Sequence, residues 1–154
     1  PKAPYTAEQL LEILRILRDP ENGCPWDKVQ THESLIPGML EESYEVVEAI
    51  NNKDEENLRE ELGDLLLQVM LQSRLAEEEG YFTVEDVVED ISRKMIRRHP
   101  HVFGETVTAS DGQPLKEWGQ IKAWEKQQMT YQEDLRRKKR RKKLVRILDR
   151  LLSL

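Results

Sequence analysis

The residues best equipped for chemistry are two pairs of acids. The stretch LEESYEVVEAI (Leu40–Ile50) sets Glu42 and Glu45 three positions apart, with Glu41 four before Glu45. The stretch ELGDLLLQVML (Glu61–Leu71) repeats the spacing with Glu61 and Asp64. On a helix, residues three or four apart share a face. Seven of the eleven residues in the second stretch are Leu, Val or Met, so Asp64 stands in apolar surroundings. An unpaired carboxylate there is costly or shifts its pKa until it is neutral. Aspartate is a poor helix-interior residue, and Gly63 beside it costs up to ~1 kcal/mol against alanine. A glycine at that point would let a ligand or another backbone come close.

Neither stretch carries a basic partner, and four carboxylates facing one another repel. A divalent cation is the simplest remedy. All-oxygen ligands select a hard ion, Mg²⁺ or Mn²⁺ rather than zinc. Di-iron carboxylate bundles use Glu-x-x-His pairs, and His32, His99 and His101 all lie away from the acids. A plainer reading stands beside this one. Helix glutamates are usually solvated, as expected for Glu55, Glu56 and Glu77–Glu79, and Glu42 and Glu45 taken alone fit that too.

The elements that position these acids are helices. The first is expected over Ala7–Arg18, with Leu10, Leu11, Leu14 and Leu17 on one face and a capping box from Thr6 and Gln9. Turn formers follow in DPENGCPWD (Asp19–Asp27). The second helix is expected over Ser34–Asn51, with Leu40, Tyr44 and Val47 as its core stripe. The third runs over Glu55–Glu79, capped by Asp54 and stopped by Gly80. Its apolar stripe is Leu58, Leu62, Leu65 and Val69, and Gln68 shares the stripe of Glu61 and Asp64. The second and third helices must pack antiparallel, which faces the acid pairs at similar heights. A fourth helix is expected over Thr83–Arg98, with Val84, Val87, Val88, Ile91 and Met95 on its apolar face and Pro100 as its stop. A loop over Phe103–Pro114 then leads to a fifth helix from near Leu115. No strand pattern or solenoid repeat competes. The expected fold is an all-α bundle of about five helices.

The chain has 154 residues, 35% of them charged, with a formal net charge of −6. That length suits one domain with a real core. The charge is divided unevenly. RRKKRRKK (Arg136–Lys143) opens a basic, amphipathic tail, leaving the body through Leu135 near −15. Such a body repels nucleic acid unless its carboxylates hold cations, although the tail itself could bind it. The expected division is a domain over 1–134 and a tail over 135–154. A single cysteine, Cys24, forbids an intrachain disulfide and fits a reducing, cytoplasmic setting. No apolar run approaches the ~18 residues of a membrane span. The chain opens at Pro1, as an excised piece of a longer protein would.

Together the segments resemble a family. E-x-x-E, fifteen residues, then E-x-x-D resembles the MazG-type nucleoside triphosphate pyrophosphohydrolases, of the all-α NTP pyrophosphatase superfamily. LRDPENGCPWDKVQTHESL (Leu17–Leu35), RRHPHVFG (Arg97–Gly104) and WGQIK (Trp118–Lys122) match in order as well, so the resemblance covers roughly Leu10–Lys126. It implies hydrolysis of an NTP to NMP and pyrophosphate, with Glu42, Glu45, Glu61 and Asp64 as Mg²⁺ ligands. Glu41 is then the first candidate to orient or deprotonate the water. Lys94, Arg97 and Arg98 would bind phosphates, although basic residues also favour a helix C-terminus. Lys122 would bind phosphate and Trp118 stack on the base, with a core tryptophan as the alternative. For Trp26 and Lys28 loop packing competes with nucleotide contact, and His99 and His101 fit a turn around Pro100. The resemblance also implies a homodimer that completes the bundle. The basic tail matches no family segment.

Two other classes remain open on sequence: a catalytically silent helical dimer acting as scaffold or regulator, and a nucleic-acid-binding module driven by the tail. The four acids favour the hydrolase.

Overall fold

A computed structural model of the protein describes residues 3–104 and 118–128, with residues 108, 112, 138, 139 and 142. The elements among them are all helical: α1 Ala7–Leu17, a 3₁₀ turn Asp27–Val29, α2 Ile36–Asn52, α3 Glu55–Glu78, α4 Val84–Arg98, α5 Pro100–Phe103 and α6 Trp118–Gln128. The six α-helices exceed the expected five through the short α5. The chain divides into two compact units, residues 1–90 and 91–154. The boundary expected after residue 134 and nearly all of the basic tail lie outside the described residues.

In the first unit, local chemistry sets the helix ends. Thr6 accepts from the Gln9 amide at 3.3 Å, and the Gln9 side chain accepts from the Thr6 amide at 2.9 Å, closing the capping box of α1. Asp54 caps α3 through the Asn57 amide at 3.0 Å. Gly80, at φ +74°, ends it in the left-handed conformation. α2 begins two residues later than expected because Ser34 is held in a turn. Its amide donates to Thr31 Oγ1 at 3.1 Å, and its Oγ accepts from the Thr31 amide at 2.8 Å.

The core forms where α1 meets the C-terminal half of α3. Leu11, Leu14, Leu35, Met70, Leu71 and Leu75 are buried together, with Leu10, Leu17, Leu67 and Val84 packed against them. The expected face of α1 is therefore correct. The stripe expected on α2 is not: Tyr44 is 64% exposed and Val47 52%. The face that α2 turns to α3 is Gly38, Glu42, Glu45 and Ala49, with Ala49 fully buried and Gly38 against the Gln68 side chain. On α3, Leu62 and Val69 are likewise exposed, since the buried positions follow the line of Gln68, Leu71 and Leu75. The face expected on α4 holds in part: Val84, Val87 and Met95 are half-buried, while Val88 and Ile91 are exposed.

A buried arginine ties the ends of α1 and α3 together. Arg18, 8% exposed, holds Glu78 with Nε at 3.0 Å and Nη2 at 2.8 Å. Its Nη1 donates to the Asp27 and Gln30 carbonyls. Arg74 binds Glu78 at 3.0 Å and Glu77 at 2.8 Å, and Arg15 reaches Glu77 at 3.2 Å. Burial pushes the Glu77 and Glu78 carboxyls up, but the arginine hydrogen bonds and charges prevail, leaving both below the ordinary range.

In the second unit, Glu125 of α6 takes Arg97 Nε at 2.6 Å and Arg98 Nη2 at 2.8 Å. Against the upward push of burial, the two arginines hold the Glu125 carboxyl below its ordinary range. His99 donates from Nδ1 to the Met95 carbonyl at 2.7 Å, and α5 starts at Pro100, so the histidine does fix a turn here.

Arg18→Ala strips donors from two loop carbonyls and breaks a buried pair, a change that costs about 3 kcal/mol or more. Arg15→Ala removes an exposed pair worth under ~1 kcal/mol. Urea denaturation of the two variants should show that order; equal losses would mean the clasp is not what joins α1 to α3.

Candidate metal centre

α2 and α3 are consecutive, antiparallel and in a fixed register. Glu45 faces Glu61, Glu42 faces Asp64 and Gly38 faces Gln68. The pairs recur every turn because 38, 42, 45 and 61, 64, 68 are single stripes on their helices. Carboxylate oxygens of Glu42, Glu45 and Glu61 lie within 4.8 Å of one another. Asp64 stands beside this trio, its charge acting on both Glu42 and Glu61. Glu41 is exposed on the neighbouring face of α2.

The electrostatics are those of an unneutralised cluster. Loss of hydration pushes the Glu42 carboxyl up. A hydrogen bond with Glu45 and the charges of Asp64, Glu45 and Glu61 push the same way. Glu61 is also raised, first by desolvation, then by Glu45, Asp64 and Glu60. No basic group among the described residues offsets either shift. Like charges at close range favour a shared proton or a bound cation.

The residues fit a hard divalent cation. Every donor is a carboxylate oxygen, with no histidine or cysteine among them, which suits Mg²⁺ or Mn²⁺ rather than zinc. One turn along the same stripe, the Gln68 Oε1 atom is buried without a hydrogen-bond partner among the described residues. The i, i+4 spacing from Asp64 is the sequence signal for Gln68, and the residue acquires a role only where the structure sets it against Gly38. The close approach of another backbone expected at Gly63 is not made within the described chain. A Cβ there would meet nothing within 4 Å, so close packing within the described chain does not explain it.

The other expected site residues lie apart in sequence. Lys94 is half-buried on α4, and Lys122 is exposed on α6. Arg97 and Arg98 are both engaged by Glu125. Trp118 is the first residue of α6. In the first unit Trp26 is 59% exposed, so loop packing does not account for it. Lys28 lines a cavity of about 760 Å³ with Arg15, Arg18, Arg74 and Glu78.

Residues 30–103 match the model of the MazG nucleotide pyrophosphohydrolase domain. The chain is 52% identical over 119 residues to the nucleoside triphosphate pyrophosphohydrolase/pyrophosphatase MazG of Thermotoga maritima, covering 77% of this chain and 45% of that protein. It is 50% identical over 121 residues to the nucleoside triphosphate pyrophosphohydrolase of Escherichia coli K12, covering 79% and 46%. The chain thus spans a little under half the length of these curated relatives. The crystal structure of a mazG-related protein from Thermotoga maritima superposes with a TM-score of 0.59 at 30% identity, covering 79% of this chain and 99% of that one.

The two sets of shifted carboxyls act oppositely on stability. Glu77, Glu78 and Glu125 are lowered, so their contribution is present above the ordinary carboxylate range and is lost as pH falls through their depressed values. Glu42 and Glu61 are raised, so theirs is present below that range and is lost as pH rises through their elevated values. In EDTA, Glu42→Gln should therefore raise Tm at pH values above the ordinary carboxylate range and flatten its decline as pH rises out of that range. Added Mg²⁺ should raise the wild-type Tm and leave the variant's nearly unchanged. An unchanged or lower Tm in EDTA for Glu42→Gln would contradict a strained acid cluster.

Proposed function

The chain belongs to the MazG nucleotide pyrophosphohydrolase family, and on that premise we propose that it hydrolyses nucleoside triphosphates, ribo or deoxy, to nucleoside monophosphate and pyrophosphate, with water attacking the α-phosphorus. The observation that carries this reading is the convergence of Glu42, Glu45 and Glu61 within 4.8 Å with no neutralising base among the described residues. A divalent cation at this point would relieve their repulsion. Glu42, Glu45, Glu61 and Asp64 hold Mg²⁺, with Mn²⁺ as a substitute. When bound, the ion neutralises charge on the leaving pyrophosphate and favours ionisation of the attacking water.

The remaining roles belong to the chain's own side chains. Glu41, exposed one residue before Glu42, orients the water or takes its proton. Lys94, Arg97, Arg98 and Lys122 supply positive charge to the phosphates, and Trp118 supplies a stacking face for the base. Arg97 and Arg98 bind phosphate by exchanging the Glu125 carboxylate for it, since both now hold that group. Residues 1–134 form the catalytic domain. The basic tail beyond it takes no part in hydrolysis, and its contacts, with nucleic acid or otherwise, are separate.

The active form is a homodimer in a reducing, cytoplasmic setting. Tyr44, Val47 and Ile50 on α2 and Leu62, Leu66 and Val69 on α3 are large apolar side chains left exposed, of the kind an obligate partner covers. No described helix is long and apolar enough to cross a membrane.

Pyrophosphate release from the common NTPs and dNTPs should require Mg²⁺ and stop with EDTA. Asp64→Ala should lower it by more than the ~10–100-fold that outer-shell changes cost. Release that persists in EDTA, or is undiminished in the variant, would sink the metal reading. Release from no nucleotide would favour a silent scaffold. Light scattering should give about twice the 18.2 kDa chain mass, and Tyr44→Lys with Leu66→Lys should return it to one chain. A monomeric wild type would remove the dimer.

A further inference from the structure

We propose that Gln68 is a positioning residue for the cation, its Oε1 accepting a hydrogen bond from a water ligand of the ion that Glu42, Glu45, Glu61 and Asp64 would hold. The inference deepens the metal reading above and rests on it.

Gln68 is only 9% exposed, and its Oε1 has no hydrogen-bond partner among the described residues. A buried amide oxygen left without a donor carries a desolvation penalty that native proteins rarely keep without cause. Its place in the register identifies the donor. Gln68 lies four residues, about 6 Å along the helix axis, beyond Asp64. The α2 residue opposite it is Gly38, one turn before Glu42.

Side-chain direction brings these groups together. Helical side chains lean toward the N-terminus of their own helix. Gln68 on α3 therefore leans back toward Asp64, the α3 acid beside the cluster of Glu42, Glu45 and Glu61. Gly38 makes the room. A Cβ on it would lie 3.0 Å from Gln68 Nε2 and 3.6 Å from Oε1.

The chemistry suits an amide. Mg²⁺ keeps several of its waters, and a cation-bound water is a stronger donor than a free one. A neutral carbonyl accepts that hydrogen bond without adding charge to a cluster already overloaded with it. A glutamate here would add a fifth carboxylate to the same face. Groups that hydrogen-bond to a metal's ligands rather than to the metal tune affinity and orientation.

The test is titration calorimetry with Mn²⁺ alone on the full chain, paired with melting in EDTA. Gln68→Met keeps the volume and removes the acceptor. It should weaken Mn²⁺ binding about tenfold, with Tm in EDTA unchanged or higher. Gly38→Ala should weaken binding by pushing the amide aside, and should add nothing further in the Gln68→Met background. Wild-type affinity in Gln68→Met would overturn the role of Gln68 and leave the metal site standing. No Mn²⁺ binding by the wild type would overturn both. Should Gln68→Met fail to fold, Gly38→Ala carries the test, and wild-type affinity in it would be the refuting result.

Discussion

Like charge held face to face is the constraint on which the rest of this fold turns. α2 and α3 spend their shared surface on Glu42, Glu45, Glu61 and Asp64 instead of on leucines. Ordinary helix pairs gain their stability at that surface. Here acids take part of that surface, and lost hydration and mutual repulsion raise the carboxyls of Glu42 and Glu61.

Stability is supplied elsewhere. The apolar core lies further along α3, where Met70, Leu71 and Leu75 meet α1. The buried Arg18 locks that end through Glu78 and two loop carbonyls. One half of α3 is thus a structural anchor and the other half a rigid wall for acids. Electrostatic sites work best when their charges are held in place before the ligand arrives. The long uninterrupted helix, capped by Asp54 and closed at Gly80, carries that rigidity from the core to the carboxylates.

Much of this was legible in the sequence because it is local. Caps, stops and the i, i+3 spacing of the acids depend on neighbours in the chain, and Thr6, Asp54 and Gly80 act as their residue types require. The antiparallel facing of the two acid pairs followed from a short link alone. What misled was the assumption that apolar stripes point inward. Tyr44, Val47, Leu62 and Val69 have helical spacing but lie on the outer face, because the inner face was already taken by acids. Periodicity finds an amphipathic face without saying which side the chain itself covers. The orphaned Gln68 oxygen and the open space at Gly63 could not be read from spacing either, since both depend on what stands across the register. The role of Gly63 has no physical account in the described contacts.

The most direct measurement is a crystal of the protein grown with Mn²⁺ and examined at the manganese absorption edge. An anomalous peak bounded by the carboxylates of Glu42, Glu45 and Glu61, with Asp64 beside it, is the expected result. Saturating Mn²⁺ with no peak between α2 and α3, in protein that still releases pyrophosphate, would contradict the claim that these facing acids exist to hold a cation.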